Sequence, residues 1–149
     1  MAFQFTLRGL LRLRLSLEKA ELQKLQAIAA EAARVRLEFE SVEQQRGALK
    51  RRTHEALVSE GMTAAEWHFE MAREASLEEL LSEQIETLAD LEEKRKLQQA
   101  RYMKARMQRE ILTSLRERQL TQYNLEESRR AQQRVDELFL IRSISPIEK

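Results

Sequence analysis

The stretch Gly61-Met62-Thr63-Ala64-Ala65-Glu66-Trp67 decides how this chain folds, because nothing else between residues 15 and 143 has the makings of a helix stop. Thr63 and Glu66 stand at the capping-box spacing: the Glu66 amide can donate to the Thr63 hydroxyl, and the Thr63 amide to the Glu66 carboxylate. Met62 just before the cap and Trp67 at the fourth helical position are placed to form a hydrophobic staple, which sets the angle at which the chain enters the helix. Gly61 can adopt the left-handed conformation that closes the preceding helix. Stop, turn and restart follow one another in seven residues, so the reading places a helix reversal at residues 60–63.

Outward from the turn, the composition supports two long helices. The 149 residues include three Gly and one Pro, 34% are charged and 5% aromatic. So little punctuation argues against an α/β fold, and the prevalence of Ala, Glu, Lys, Leu, Arg and Gln is that of coiled coils. Helices are expected over about 5–59 and 64–142, with a flexible tail at 143–149 containing Pro146. The fold class is therefore all-α, a single elongated antiparallel two-helix coiled-coil hairpin with the longer helix second. No cysteine is present, which excludes disulfides and thiol chemistry. No run reaches the ~18 to 20 apolar residues of a membrane span. Residues 1–17 carry Arg8, Arg12 and Arg14 and no acid, as transit peptides do, but lack an apolar core and a cleavage site, so they are read as the start of the helix.

In the first helix Leu25, Ile28, Ala32, Val35, Phe39, Val42, Arg46, Leu49, Thr53 and Ala56 alternate by three and four. Upstream the stripe reads Leu11, Leu15, Glu18 and Leu22, which predicts a stammer where 22, 25 and 28 follow in steps of three. In the second, Trp67, Leu77, Leu81, Ile85, Leu88, Leu91, Tyr102, Ala105, Leu112 and Leu115 form the stripe, with weaker regularity around Arg95 and Gln98. Folding about residues 61 and 62 pairs positions whose numbers add to roughly 124. Phe39 then meets Ile85, Val35 meets Leu88, Leu22 meets Tyr102 and Leu11 meets Leu112. Beyond about residue 120 the second helix has no partner in this register.

Charge reinforces the register. Glu66 to Glu93 holds ten acids against Arg73 alone, opposite Arg46, Lys50, Arg51 and Arg52, whereas residues 94–118 hold nine bases against Glu110 and Glu117. One half is acidic and the other basic, although the net charge is only +1. The basic half is suited to docking on an acidic surface. Leu7, Leu10, Leu11, Leu13, Leu15 and Leu17 cover an arc of roughly 200°, where one neighbouring helix needs little more than 100°. Leu125, Ala131, Val135, Leu138, Phe139 and Ile141 likewise form an apolar face that the hairpin cannot cover. His54 and His68 flank the turn without acidic ligands and read as exposed side chains. There is no phosphate loop, no metal-binding motif and no nucleophile beside a base, so neither an enzyme nor a cofactor is expected. Tyr102 and Tyr123 are the only aromatics of the Arg-rich half and acids are interleaved there, which disfavours nucleic acid.

Three segments carry a family resemblance: the opening Phe3-Gln4-Phe5-Thr6-Leu7-Arg8-Gly9-Leu10-Leu11-Arg12-Leu13-Arg14, the turn Ser59-Glu60-Gly61-Met62-Thr63 leading to Trp67, and Leu115-Arg116-Glu117-Arg118 through Tyr123 to Val135-Asp136-Glu137-Leu138. Together they resemble the FliJ family of bacterial flagellar type III export. The resemblance implies a soluble coiled coil similar to the central stalk subunit of rotary ATPases, which binds the export ATPase ring, couples it to the cytoplasmic domain of the export gate and interacts with export chaperones. It implies a cytoplasmic protein, peripheral to the inner membrane at the flagellar base, without membrane insertion and monomeric when free. Carried onto this chain, the ATPase-binding residues are Phe5, Leu7, Arg8, Leu10, Arg12, Leu13, Arg14, Leu17, Arg116, Arg118, Tyr123, Arg130, Arg134 and Leu138, and the gate-binding residue is Leu77. The chain departs from the family pattern before the turn, where Arg46, Gly47, Lys50 and His54 stand in place of several aromatics. The alternative reading is a dimerising scaffold or adaptor coiled coil, including a relative from virulence secretion.

Overall fold

The computed structural model describes residues 2–144. Over these residues the fold is an all-α hairpin of two helices without strands: α1, Arg8–Ser59, of 52 residues, and α2, Ala64–Ile144, of 81. The turn between them has the expected chemistry. Gly61 sits at φ 73°, where a β-carbon would be strained. The Thr63 amide donates to Glu66 Oε2 at 2.9 Å and the Glu66 amide to Thr63 Oγ1 at 3.2 Å, which closes the capping box. The Thr63 amide, as the larger cause, and the Thr63 hydroxyl together hold the Glu66 carboxyl below its ordinary pKa. Met62 is half-buried and lines a shallow groove with Ala65 and Phe69, whereas Trp67 is exposed and does not line it.

Both helix ends differ from expectation. α1 starts at Arg8 rather than Phe5 because residues 2–5 have no regular structure and residues 6 and 7 form a turn. Both Phe3 and Phe5 are drawn inward. Phe5 is 8% exposed, and the ring of Phe3 packs on Tyr123 with centroids 5.7 Å apart. The Arg8 amide then donates to the Phe5 carbonyl at 3.2 Å, which turns the chain into the helix. At the other end α2 continues through Ser143 and Ile144, two positions expected in the tail; residues 145–149 lie outside the described residues.

The chain separates into two compact units. The turn unit is Lys19–Met103, and the terminal unit joins Met1–Glu18 to Lys104–Lys149. In the turn unit Val35, Val42, Leu49 and Thr53 of α1 are buried, as are Leu81, Leu91 and Gln98 of α2. Arg46 pairs with Glu78, and Lys50 with Glu74 at 3.1 Å, the register set by the position of the turn.

The seam of α2 is more regular than its apolar residues suggested. Positions 70, 74, 77, 81, 84, 88, 91, 95, 98 and 102 are all buried or half-buried, an unbroken alternation of four and three. Glu70, Glu74, Gln84, Arg95 and Gln98 occupy five of those places, so the lapse at Arg95 and Gln98 is one of hydrophobicity and not of register. Ile85, expected against Phe39, is 56% exposed; Gln84 takes the inward place, with its buried Oε1 lacking a hydrogen-bond partner. Leu115 is exposed for the same reason of phase, whereas Trp67 falls in phase and is exposed with the rest of residues 63–69 beside the turn. In α1 Arg14 replaces the exposed Leu15 in the stripe, and Glu21 is half-buried beside Leu22. Positions 14, 18, 21, 25 and 28 therefore keep the alternation, and the expected stammer is absent. Gln98 Nε2 donates to the carbonyl of Glu21 at 3.1 Å and also to its carboxylate.

Candidate docking site

The terminal unit gathers the basic and apolar residues at the chain ends. Its inward side is occupied by its own packing. Phe5 and Leu112 are buried, and Arg14 Nη1 donates to Gln108 Oε1 at 2.7 Å. Arg109 grips Glu18 with two bonds, Nε to Oε2 at 2.6 Å and Nη2 to Oε1 at 3.0 Å. The two side chains are only 22% and 14% exposed, and the Arg109 bonds hold the Glu18 carboxyl below its ordinary pKa against the opposing effect of burial. A bidentate guanidinium–carboxylate pair fixes orientation as well as charge.

Outward from this packing lies a groove of about 700 Å³, lined by Phe3, Gln4, Phe5, Arg8, Leu11, Arg12, Leu15 and Arg116. Its construction follows from local structure. Arg8 and Arg12 are one turn apart on α1, as are Leu11 and Leu15, so cations and leucines form two adjacent rows. The segment before α1 supplies Phe3 and Phe5, and α2 supplies Arg116. Leu7, Leu10, Leu13 and Leu17 are exposed on the surrounding surface. From Ser128 to Ile144 every described residue of α2 is exposed, including Val135, Leu138, Phe139 and Ile141.

Of the residues expected to bind a partner, the structure brings Phe5, Arg8, Arg12 and Arg116 together around one concavity. Phe5 takes part as its buried wall. Arg14 faces inward to Gln108, and Tyr123 is half-buried against Phe3, so both serve the unit's own packing. Arg118 lines separate shallow grooves with Ser114. Arg130 pairs with Glu127 at 3.5 Å, while Arg134 and Leu138 lie on the exposed stretch of α2. Leu77 is half-buried in the heptad seam between Glu74 and Leu81 and presents little surface for a gate. Reasoning from sequence missed Phe3, Gln4, Leu11 and Leu15 as lining residues. Phe3 and Gln4 precede the helix, and a helical reading that began at residue 5 passed over them.

Among the described residues no three His, Cys, Asp or Glu side chains are grouped to hold a metal ion, and no helix is long and apolar enough to cross a membrane. Comparison with curated proteins and with solved structures returns no match. The model of one family, described as the flagellar FliJ protein, does match, and it covers residues 3–146. A match over nearly the whole chain, on a two-helix hairpin with the longer helix second, shows that this protein belongs to the flagellar FliJ family.

Proposed function

We propose that this chain is a non-enzymatic, stalk-type component of the flagellar export apparatus, which docks through its terminal unit on the export ATPase ring. Family membership supports a role in flagellar protein export. The observation that carries the finer reading is the surplus of uncovered surface in the terminal unit: three arginines around one groove, exposed leucines on α1, and an α2 stretch without a cover from Ser128 onward. Two helices of unequal length would present a different face to each subunit of a symmetric ring. Coupling to the cytoplasmic domain of the export gate, exchange with export chaperones and a cytoplasmic location at the flagellar base complete the proposal. No residue is assigned to the gate, since Leu77 is engaged in the seam.

The test is ATPase stimulation by the full chain. Arg8→Glu with Arg12→Glu should abolish stimulation while leaving the helical circular dichroism unchanged; undiminished stimulation would sink the docking site. The exposed Val135, Leu138, Phe139 and Ile141 also favour a second reading, a dimerising scaffold. Sedimentation separates the two: a monomer supports docking on the ATPase, a dimer the scaffold.

A further inference from the structure

The cations of the terminal unit divide into two groups. Arg109 spends its charge on Glu18, Arg106 bonds Glu110 at 2.9 Å, and Arg14 is held by Gln108. Arg8, Arg12 and Arg116 form no ion pair with any acid among the described residues, and they line the same groove. Like charges one turn apart disfavour their own helix, so Arg8 and Arg12 are a standing electrostatic cost that an anionic ligand would relieve. The rest of the lining is Phe3, Phe5, Leu11 and Leu15, with Gln4 the one uncharged polar side chain.

We propose that this groove is a clamp for an acidic amphipathic helix of a partner protein, with carboxylates at every fourth residue facing Arg8 and Arg12, one facing Arg116, and an apolar side chain set on Leu11 and Leu15. The proposal rests on the docking role given above and names the chemistry of the surface that is docked upon. Arg8 and Arg12 are separated by about 6 Å along the helix axis, and carboxylates four residues apart on a second helix repeat at the same pitch. Guanidinium groups can take such carboxylates in bidentate fashion. A single-stranded nucleic acid would need open aromatic faces on which to stack its bases. Here Phe5 is buried, and Phe3, the other ring lining the groove, is half-buried with its ring packed on Tyr123, so the groove has no open run of aromatic faces for successive bases.

The experiment titrates the full chain against a fluorescent synthetic helical peptide that repeats Glu every fourth residue beside a Leu stripe, read by anisotropy at low and high salt. The same peptide with Lys for Glu, and a single-stranded oligonucleotide, serve as rival probes. Binding of the Glu peptide that weakens with salt, drops about tenfold or more in the triple variant Arg8→Gln, Arg12→Gln, Arg116→Gln, and is unchanged by Arg51→Gln with Arg52→Gln, two exposed cations of the turn unit, supports the clamp. Leu15→Asp, with all three arginines intact, should also weaken it. No binding of the Glu peptide, equal binding of the Lys peptide, an unaltered affinity in the triple variant, or preference for the oligonucleotide overturns it. Failure here is distinct from failure of the ATPase reading. If the peptide is held through the arginines while the ATPase is neither bound nor stimulated, the clamp stands and the ATPase reading falls; if Arg8→Glu with Arg12→Glu abolishes stimulation of the ATPase while the unaltered chain does not bind the peptide, the reverse holds.

Discussion

Glu18 shows how much of the terminal unit depends on one side chain. Its carboxylate takes both bonds from Arg109 in a site with little water, so protonating it leaves a guanidinium without its partner. The sign of the pH effect follows. The folded pKa lies below the unfolded one, about 4.3, so the unfolded chain takes up the proton first. The stabilisation from this pair is therefore complete above the unfolded value and is lost as pH falls through the folded value. As pH falls below the ordinary carboxylate range, the urea midpoint of the wild type should fall more steeply than that of Glu18→Gln, which should start lower at neutral pH because Arg109 has lost its charged partner. Parallel curves would show that Glu18 is not coupled to folding. Glu66 shifts in the same direction, through the cap rather than an ion pair. That cap was legible in the sequence because its donors and acceptors lie within four residues; the Glu18–Arg109 pair was not, because its members are 91 positions apart.

At the level of the helices, the lesson lies in what occupies the seam. Apolar residues marked the stripe correctly wherever they fell in phase, at Leu77, Leu81, Leu88 and Leu91, and misled where they did not, at Ile85 and Leu115. A polar residue in a seam position is silent to a hydrophobicity pattern, which is why Arg95 and Gln98 passed for a lapse in regularity and Gln84 and Arg14 were left out of the stripe. Substitution should recover the true phase. Leu91→Ala, at a position 3% exposed, should cost about 2 to 5 kcal/mol. Ile85→Ala should stay within about 0.5 kcal/mol, and Gln84→Leu should stabilise, since it removes a buried oxygen that has no donor. Urea unfolding distinguishes these outcomes, and a large loss at Ile85 would contradict the heptad phase described above. The polar places also have a use: an all-apolar stripe can slip by one heptad at small cost, whereas Glu21 meets Gln98, and Glu18 meets Arg109, in one alignment only.

For the molecule as a whole, the halves differ in how their helices are supported. A helix without a packed face is marginal in water, and Ser128–Ile144 has none within the described residues. Hydrogen exchange should find the strongest protection around Leu49, Leu81 and Leu91 and the weakest from Ser128 onward. Equal protection in the two regions of the free protein would mean that a second copy or another cover is present. The pairings also grow steadily more remote in sequence, from Arg46 with Glu78, 32 positions apart, to Arg14 with Gln108, 94 apart. Each contact formed brings the next within a short closing loop, so pairing can spread from the turn outward at little entropic cost. The ring contact of Phe3 with Tyr123 is placed to form last. On a ribosome adding about 5 to 20 residues per second, the first apolar residues of this protein must wait on the order of ten seconds before the segment that covers them has been made.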